Sequence, residues 1–405
     1  MGDPADRLRV ALLAREYPPE VYGGAGVHLE YLARALQTEV DVDVHCFGAP
    51  REDPTVAGTY THWDALEGEA PYLSALRTIS TDLVMAAAIE GADVVHSHTW
   101  YANLAGHLAS LTFGIPHVMT SHSLEPLRPW KAEQLGGGYQ LSLFCERTAA
   151  EAADAIIAVS AQMRDDVLVA YPSVDPDRVQ VIHNGIDVDE YRPDRATDVC
   201  ERIGMDPARP SAVFVGRITR QKGITHLLDA AAHLDDGTQL VLLAGAPDTP
   251  EIGAEFRDRV QQLQADGLDV LWIEKMLPRP EVVQVLSHAT VFVCPSIYEP
   301  FGLVNVEAMG CEAAVVASAV GGIPEVVVDG ETGLLVPFGA GDDAFGSPAD
   351  PDGFARSLAH AVNALLGDPD RARAMGRAGR QRAIDAFSWS SVAERTAALY
   401  RGLLA

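Results

Sequence analysis

Two carboxylates, Glu299 and Glu307, stand eight positions apart in Glu299-Pro300-Phe301-Gly302-Leu303-Val304-Asn305-Val306-Glu307. The run before them, Val291-Phe292-Val293-Cys294-Pro295, reads as a short buried strand closed by proline, and Gly302 to Met309 reads as the opening of a helix. A strand, a tight loop and a helix N-terminus bring unpaired backbone N–H groups and the positive end of the helix dipole to one place, which suits an anionic ligand. A carboxylate in that loop cannot hold a phosphate, so its chemistry is with hydroxyl groups. The segment predicts a ligand that is both sugar and phosphate.

Cations for the phosphate occur in Val215-Gly216-Arg217-Ile218-Thr219-Arg220-Gln221-Lys222-Gly223, which follows another predicted strand. Lys131, Lys222 and Lys275 are the only lysines, all other basic residues being arginine. A lysine retained against such a bias is expected where a compact point charge is needed rather than a planar fork. Arg217 and Lys222 together suit a diphosphate. A plain solvated turn is the alternative reading of the pair. The run Tyr22-Gly23-Gly24-Ala25-Gly26-Val27-His28 follows the first strand, and its glycines let backbone approach a ligand closely. It is a poor dinucleotide fingerprint, since no third glycine falls at the required spacing. His122, in Thr120-Ser121-His122-Ser123-Leu124-Glu125-Pro126, stands at the end of a further strand, where it could act on substrate or simply cap a loop.

Metal chemistry is weakly signalled. His96 and His98 alternate on one strand and share a face, but no third ligand lies at a telling distance in sequence. Asp-x-Asp recurs at Asp41/Asp43, Asp175/Asp177, Asp187/Asp189 and Asp350/Asp352, as expected by chance among 57 acidic residues. No required metal or cofactor is predicted. The five cysteines, at 46, 145, 200, 294 and 311, are scattered and form no Cys-x-x-Cys. They are expected to be reduced and buried.

The elements that must position these residues follow a βαβ alternation. Strands are expected at Arg7–Ala14, Val40–Phe47, Asp93–Ser97, Pro116–His122, Asp154–Ser160 and Val179–Asn184, with a helix at Gly26–Gln37. After a polar stretch from Asp187 to Pro210, taken as the linker, strands restart at Ala212–Val215, Gln239–Ala244, Val270–Glu274, Thr290–Cys294 and Ala314–Ser318. The fold class is therefore α/β, two doubly wound parallel sheets, with the ligand expected at the carboxyl ends of the strands, in a cleft between the two domains. An aperiodic Gly/Pro/Asp-rich loop is expected between Pro337 and Asp352, and a last helix after Phe387-Ser388-Trp389.

A chain of 405 residues exceeds one ordinary core. Its 48% hydrophobic and 21% charged content is that of a globular protein. The net charge of −27 argues against nucleic acid or an anionic membrane as partner. No apolar run reaches membrane-spanning length, and Met1-Gly2-Asp3-Pro4-Ala5-Asp6 is not a leader, so the cytoplasm is expected.

Together these segments resemble the retaining GT-B glycosyltransferases of family four, and most closely the short bacterial glycogen synthase-like enzymes, which include α-maltose-1-phosphate synthases. The resemblance runs nearly end to end through Arg15-Glu16-Tyr17-Pro18-Pro19-Glu20-Val21-Tyr22-Gly23-Gly24, the His122 loop, Asn184-Gly185-Ile186-Asp187, Arg217 through Gly223, Glu299 through Glu307, and Gly321-Gly322-Ile323-Pro324-Glu325. Leu124 through Lys131 and Glu274-Lys275-Met276-Leu277-Pro278 point to the glucan-building subgroup. It implies GT-B architecture: an N-terminal Rossmann-like acceptor-side domain over 1–190, a nucleotide-sugar-binding domain over 200–386, and a final helix at about 387–405 packing back on the first.

The resemblance also implies roles. Arg217 and Lys222 would bind the donor diphosphate and stabilise the leaving nucleotide. Glu299 would hold glucose hydroxyls, Glu307 the ribose, and the Gly302/Leu303 backbone the sugar and distal phosphate. Gly23 and Gly24 would close over the diphosphate, and His122 would line the reacting face of the sugar. The donor would be ADP-glucose and the acceptor glucose 1-phosphate or an α-1,4-glucan end, in glycogen or α-glucan synthesis. A homodimer is compatible with it. One departure is Val21, where the larger glycogen and starch synthases carry the lysine of Lys-x-Gly-Gly. Arg128 and Lys131, a basic pair just past the His122 loop, are the candidate contacts for a phosphorylated acceptor.

Three rivals remain at this level. A family-four transferase using a UDP- or GDP-sugar on a lipid or small-molecule acceptor needs a basic, apolar surface that so acidic a chain does not suggest. An NAD-dependent oxidoreductase lacks its third glycine and leaves Glu299 and Glu307 unexplained. A nucleotide-sugar-binding module without turnover has no reason to keep Arg217, Lys222, Glu299 and His122 together.

Overall fold

The apolar runs do form parallel sheets. The computed structural model describes residues 7–21, 23–343 and 345–405. In the first half lie β1 (Arg9–Ala14), β2 (Asp41–Phe47), β3 (Val56–Tyr60), β4 (Val94–His98), β5 (His117–Ser121), β6 (Ala155–Ala158) and β7 (Val179–Val181). They pair in the order β3-β2-β1-β4-β5-β6-β7, every neighbour parallel. In the second half lie β8 (Ser211–Arg217), β9 (Gln239–Gly245), β10 (Val270–Ile273), β11 (Val291–Cys294), β12 (Ala314–Ser318) and β13 (Gly333–Val336), in the order β10-β9-β8-β11-β12-β13 and again parallel. A strand covered on both faces needs a continuous apolar run, and Gln239-Leu240-Val241-Leu242-Leu243-Ala244-Gly245 is buried throughout. The α/β, doubly wound reading of the sequence holds in both halves.

Two strands escape the sequence pattern, β3 and β13, and both are edges. Val56-Ala57-Gly58-Thr59-Tyr60 is half-exposed, so it carries neither a continuous apolar run nor a clean alternation. Gly333-Leu334-Leu335-Val336 is only four residues long.

Each sheet reverses its winding beside its first strand. β1 lies between β2 and β4, and β8 lies between β9 and β11. The loops leaving β1 and β4, and those leaving β8 and β11, therefore open crevices at the carboxyl ends of the strands.

Residue contacts divide the chain into two units: one runs up to Gly185 and takes in Trp389–Ala405, and the other is Ile186–Ser388. The stretch from Asp187 to Pro210, expected as a linker, belongs to the second unit. Its helix Asp198–Ile203 buries Val199 and Cys200, and Gln284 accepts from the N–H of Val199 at 2.7 Å. The last helix, Trp389–Leu403, completes the first unit's core with Val392, Ala393, Ala397 and Tyr400 against β1, β4 and β6. All five cysteines are buried and unbridged. Among the described residues no helix is long and apolar enough to cross a membrane. Tyr22 of the glycine-rich turn and the acidic start, Met1–Asp6, lie outside the described residues.

Candidate active site

In the second unit the predicted residues gather where β8 and β11 end. Lys222 Nζ donates to Glu299 Oε2 at 2.7 Å, and Ser296 Oγ donates to the same oxygen at 3.0 Å. The cation and the carboxylate that the sequence assigned to different parts of a ligand are thus one ion pair. Burial alone would lower the Lys222 pKa, but Glu299, with Cys294 and Glu307 adding to it, outweighs burial and holds the amine above its ordinary value. Arg217, the last residue of β8, donates to Asp248 Oδ1 at 2.7 Å, beyond the end of β9.

Three glycines fix this arrangement. Gly223 has φ +59°, and a Cβ there would lie 1.9 Å from the carbonyl oxygen of Pro295. The loop after β8 therefore touches the loop after β11, and the Ile297 N–H donates to Gln221 O at 3.0 Å. Gly321 has φ +53°, with its absent Cβ 2.0 Å from Glu299 O, while the Gly322 N–H donates to that oxygen at 2.9 Å. Gly302, at φ +99°, caps the helix Leu303–Gly310 with no side-chain bond of its own. Such conformations suit glycine because it lacks a Cβ.

Glu307 sits one turn into that helix. Burial raises its pKa, partly offset by Tyr191 Oη, which donates to Oε1 at 3.0 Å. Tyr191 comes from the stretch expected as linker, so sequence reasoning missed it. Asp248, three residues past the end of β9, was missed too, since its partner Arg217 lies 31 residues away.

In the first unit, Gly23 precedes the helix Gly24–Leu36, and its N–H donates to Glu16 Oε2 at 2.9 Å. A carboxylate thus already sits at the glycine-rich turn. A Cβ on Gly26 would lie 2.8 Å from that same oxygen, so the small residues make room for Glu16.

His122 follows β5, and its Nε2 is 3.0 Å from Nδ1 of His98, the last residue of β4. His28 packs edge-on against His122 with ring centroids 4.6 Å apart, and its Nδ1 meets Asn184 Oδ1 at 2.7 Å. Burial lowers all three imidazole pKa values, that of His28 to about 4. The pairing of His96 with His98 as ligands does not hold. Both nitrogens of His96 are spent, on Tyr400 Oη at 2.6 Å and Thr120 Oγ1 at 2.7 Å. Folding instead brings two other histidines, His28 and His122, beside His98.

The loop carrying Arg128 and Lys131 is held from beneath. The Glu125 N–H donates to Glu146 Oε1 at 2.9 Å, Tyr171 Oη donates to the same oxygen, and Tyr139 Oη donates to Glu125 O at 2.6 Å. Burial, with Glu125 adding to it, pushes the Glu146 carboxyl up to about 8. Arg128 Nη1 donates to Ser123 Oγ at 3.1 Å and lies 3.5 Å from Glu125 Oε1. Lys131 is buried, with Nζ donating to Gln134 Oε1 at 2.9 Å. The basic pair is therefore engaged within the fold rather than displayed on its surface.

Both halves of the chain resemble known proteins. Residues 22–190 match the model for Glycosyltransferase Family 4, and residues 201–382 match that for Glycosyl transferases group 1. The chain is 56% identical over 398 residues to the alpha-maltose-1-phosphate synthase of Mycolicibacterium smegmatis, covering 97% of this chain and 99% of that one. It is 33% identical over 320 residues to D-inositol 3-phosphate glycosyltransferase 1 of Catenulispora acidiphila, covering 77% and 72%. Among solved structures, sucrose-phosphate synthase from Thermosynechococcus elongatus superposes with a TM-score of 0.80 at 27% identity, covering 98% and 99%. The chain belongs to glycosyltransferase family four and is a hexosyltransferase with the GT-B fold.

Proposed function

We propose that the chain moves an α-glucosyl group from ADP-glucose to glucose 1-phosphate, giving α-maltose 1-phosphate and ADP with retention at the anomeric carbon. The observation that carries this reading is the Lys222–Glu299 pair at the winding reversal of the second sheet, beside Arg217. On donor binding, Lys222 and Arg217 take the diphosphate and stabilise the charge that grows on it as the bond from C1 to the phosphate oxygen breaks. Preorganised cations out of bulk water are most effective at that moment. Glu299 accepts from glucose hydroxyls, and Glu307 from the ribose. The new bond joins C1 to the acceptor's 4-oxygen, whose proton leaves with the diphosphate. Gly302 and Leu303 offer backbone N–H groups, Gly23 and Gly24 cover the diphosphate, and His122 lines the sugar's reacting face.

A phosphorylated acceptor is supported by the names of the relatives, each of which carries a sugar or inositol phosphate. Arg128 and Lys131 are the side chains assigned to that phosphate, a role that requires them to exchange Ser123 and Gln134 for it. An α-1,4-glucan end is the second acceptor of this reading, and the cytoplasm is the compartment that goes with its phosphorylated substrates and product.

The deciding measurement offers ADP-glucose with glucose 1-phosphate and glycogen in competition and identifies the products. Formation of a disaccharide phosphate is expected, and incorporation into glycogen alone would refute the proposed acceptor. Lys222→Ala is expected to cut turnover roughly 100- to 1000-fold. Arg128→Ala and Lys131→Ala should instead raise the apparent KM for glucose 1-phosphate. An unchanged KM in both would remove them from the acceptor site.

A further inference from the structure

We propose that His28, His98 and His122 form a binding site for one divalent transition-metal ion of the zinc type, and that its occupation stops sugar transfer. Each of the three offers a ring nitrogen, and those atoms lie within 4.8 Å of one another. In a tetrahedral site with Zn–N of about 2.0–2.1 Å, ligand nitrogens stand about 3.3 Å apart. His98 Nδ1 and His122 Nε2, at 3.0 Å, already sit close to that length.

The third ligand is preset. Asn184 Oδ1 can only accept, so the His28 Nδ1 at 2.7 Å carries the proton and Nε2 is left with a lone pair. That Nε2 is buried with no hydrogen-bond partner among the described residues, in a side chain 3% exposed. A carbonyl on the remote nitrogen is how metal-binding histidines are commonly oriented. His96 shows the contrast, with both nitrogens bonded to hydroxyls. The backbone adds a further sign: Thr99, directly after His98, holds φ +64°, a sparsely populated region for a residue with a branched Cβ.

Three imidazoles leave one tetrahedral position open. A net charge of −27 favours a cation in a site without carboxylates. Binding follows from the three side chains alone. Inhibition rests in addition on the proposed role of His122, because an ion bonded to its Nε2 removes that imidazole from the sugar.

The test uses the full chain, freed of metal with a chelator and titrated with Zn²⁺ by calorimetry and with Co²⁺ by absorption. One equivalent with a tetrahedral Co²⁺ spectrum is expected. His28→Gln should weaken Zn²⁺ binding by more than about 100-fold, and Asn184→Ala by about 10- to 100-fold. Zn²⁺ should inhibit the wild type, and chelator should restore it. Equal Zn²⁺ affinity in wild type, His28→Gln and Asn184→Ala would overturn the site, as would an octahedral Co²⁺ spectrum. If either variant fails to fold, the other still decides. Binding without inhibition would retain the site but overturn its effect on transfer, and with it the proposed role of His122.

Discussion

At the scale of single residues, the cluster around Glu299 is a set of charges that answer one another before any ligand arrives. Lys222 is held by Glu299 and Arg217 by Asp248, so a diphosphate must compete with carboxylates for both cations. A donor that brings hydroxyls along with its phosphates can compensate Glu299 for the lysine it gives up, which a free diphosphate cannot. Glu146 makes a prediction at this scale. Its carboxyl is pushed up to about 8 in the folded chain against an ordinary value of 4.5, so the folded state holds a proton that the unfolded state releases. The contribution is fully present below about pH 4.5 and is lost as pH rises toward about 8. Glu146→Gln copies the protonated acid and still accepts from Glu125 N–H and Tyr171. Melting curves at pH 5, 7 and 9 should show the variant gaining on the wild type as pH rises, by on the order of 5 °C at pH 9. A constant difference across that range would refute the assignment.

At the scale of elements, the site is three loops pressed together by glycine, those after β8, β11 and β12. Gly223 brings the loop after β8 against Pro295, and Gly321 brings the turn after β12 against Glu299. A methyl group at either meets backbone carbonyl rather than a movable side chain, and both φ values are positive. Gly321→Ala is therefore expected to cost about 1–3 kcal/mol and to lower kcat by pushing Glu299 out of line. Denaturant melts and initial rates check this, and wild-type values for both would refute it.

These loops also show how far the sequence could be read. The strand–loop–helix units, the winding, and the residues Arg217, Lys222, Glu299 and Glu307 were legible because they are local: apolar runs, glycines and charges at fixed spacing. Tyr191 and Asp248 were not, because each reaches its partner across a separation that no local pattern encodes, 116 residues to Glu307 and 31 to Arg217. Glu16 is only seven residues from Gly23, but an acid before a turn does not by itself show that it folds back onto the turn's N–H. The histidine cluster is a mixed case. His96 and His98 are visible as neighbours, but the register of β4 against β5 decides which of them meets His122. The edge strands β3 and β13 were lost because half-exposed and very short strands carry little apolar signal.

At the scale of the whole molecule, the chain is acidic, and its first unit is discontinuous in sequence. Tyr400 is fully buried and bonded to His96, and Trp389 stacks on Tyr31 with centroids 5.6 Å apart. A Cβ on Gly185 would lie 2.6 Å from the Trp389 ring, so the residue before the crossing is shaped around the helix after the return. Tyr400→Ala is expected to destabilise by about 3–5 kcal/mol, as other large buried aromatics do. The segment 186–388 expressed alone should stay folded and bind ADP, since its core residues all lie within it. Circular dichroism and an ADP titration check both, and an unfolded segment would refute the second.

The helix Trp389–Leu403 has a consequence for biosynthesis. Translation delivers the first unit's seven strands early, but not the side chains of Val392, Ala397 and Tyr400 that cover β1, β4 and β6. While the ribosome makes Ile186–Ser388, the nascent chain carries an exposed apolar sheet face, and the second unit can close first. The unit begun first is finished last, and until then its uncovered apolar face is open to aggregation.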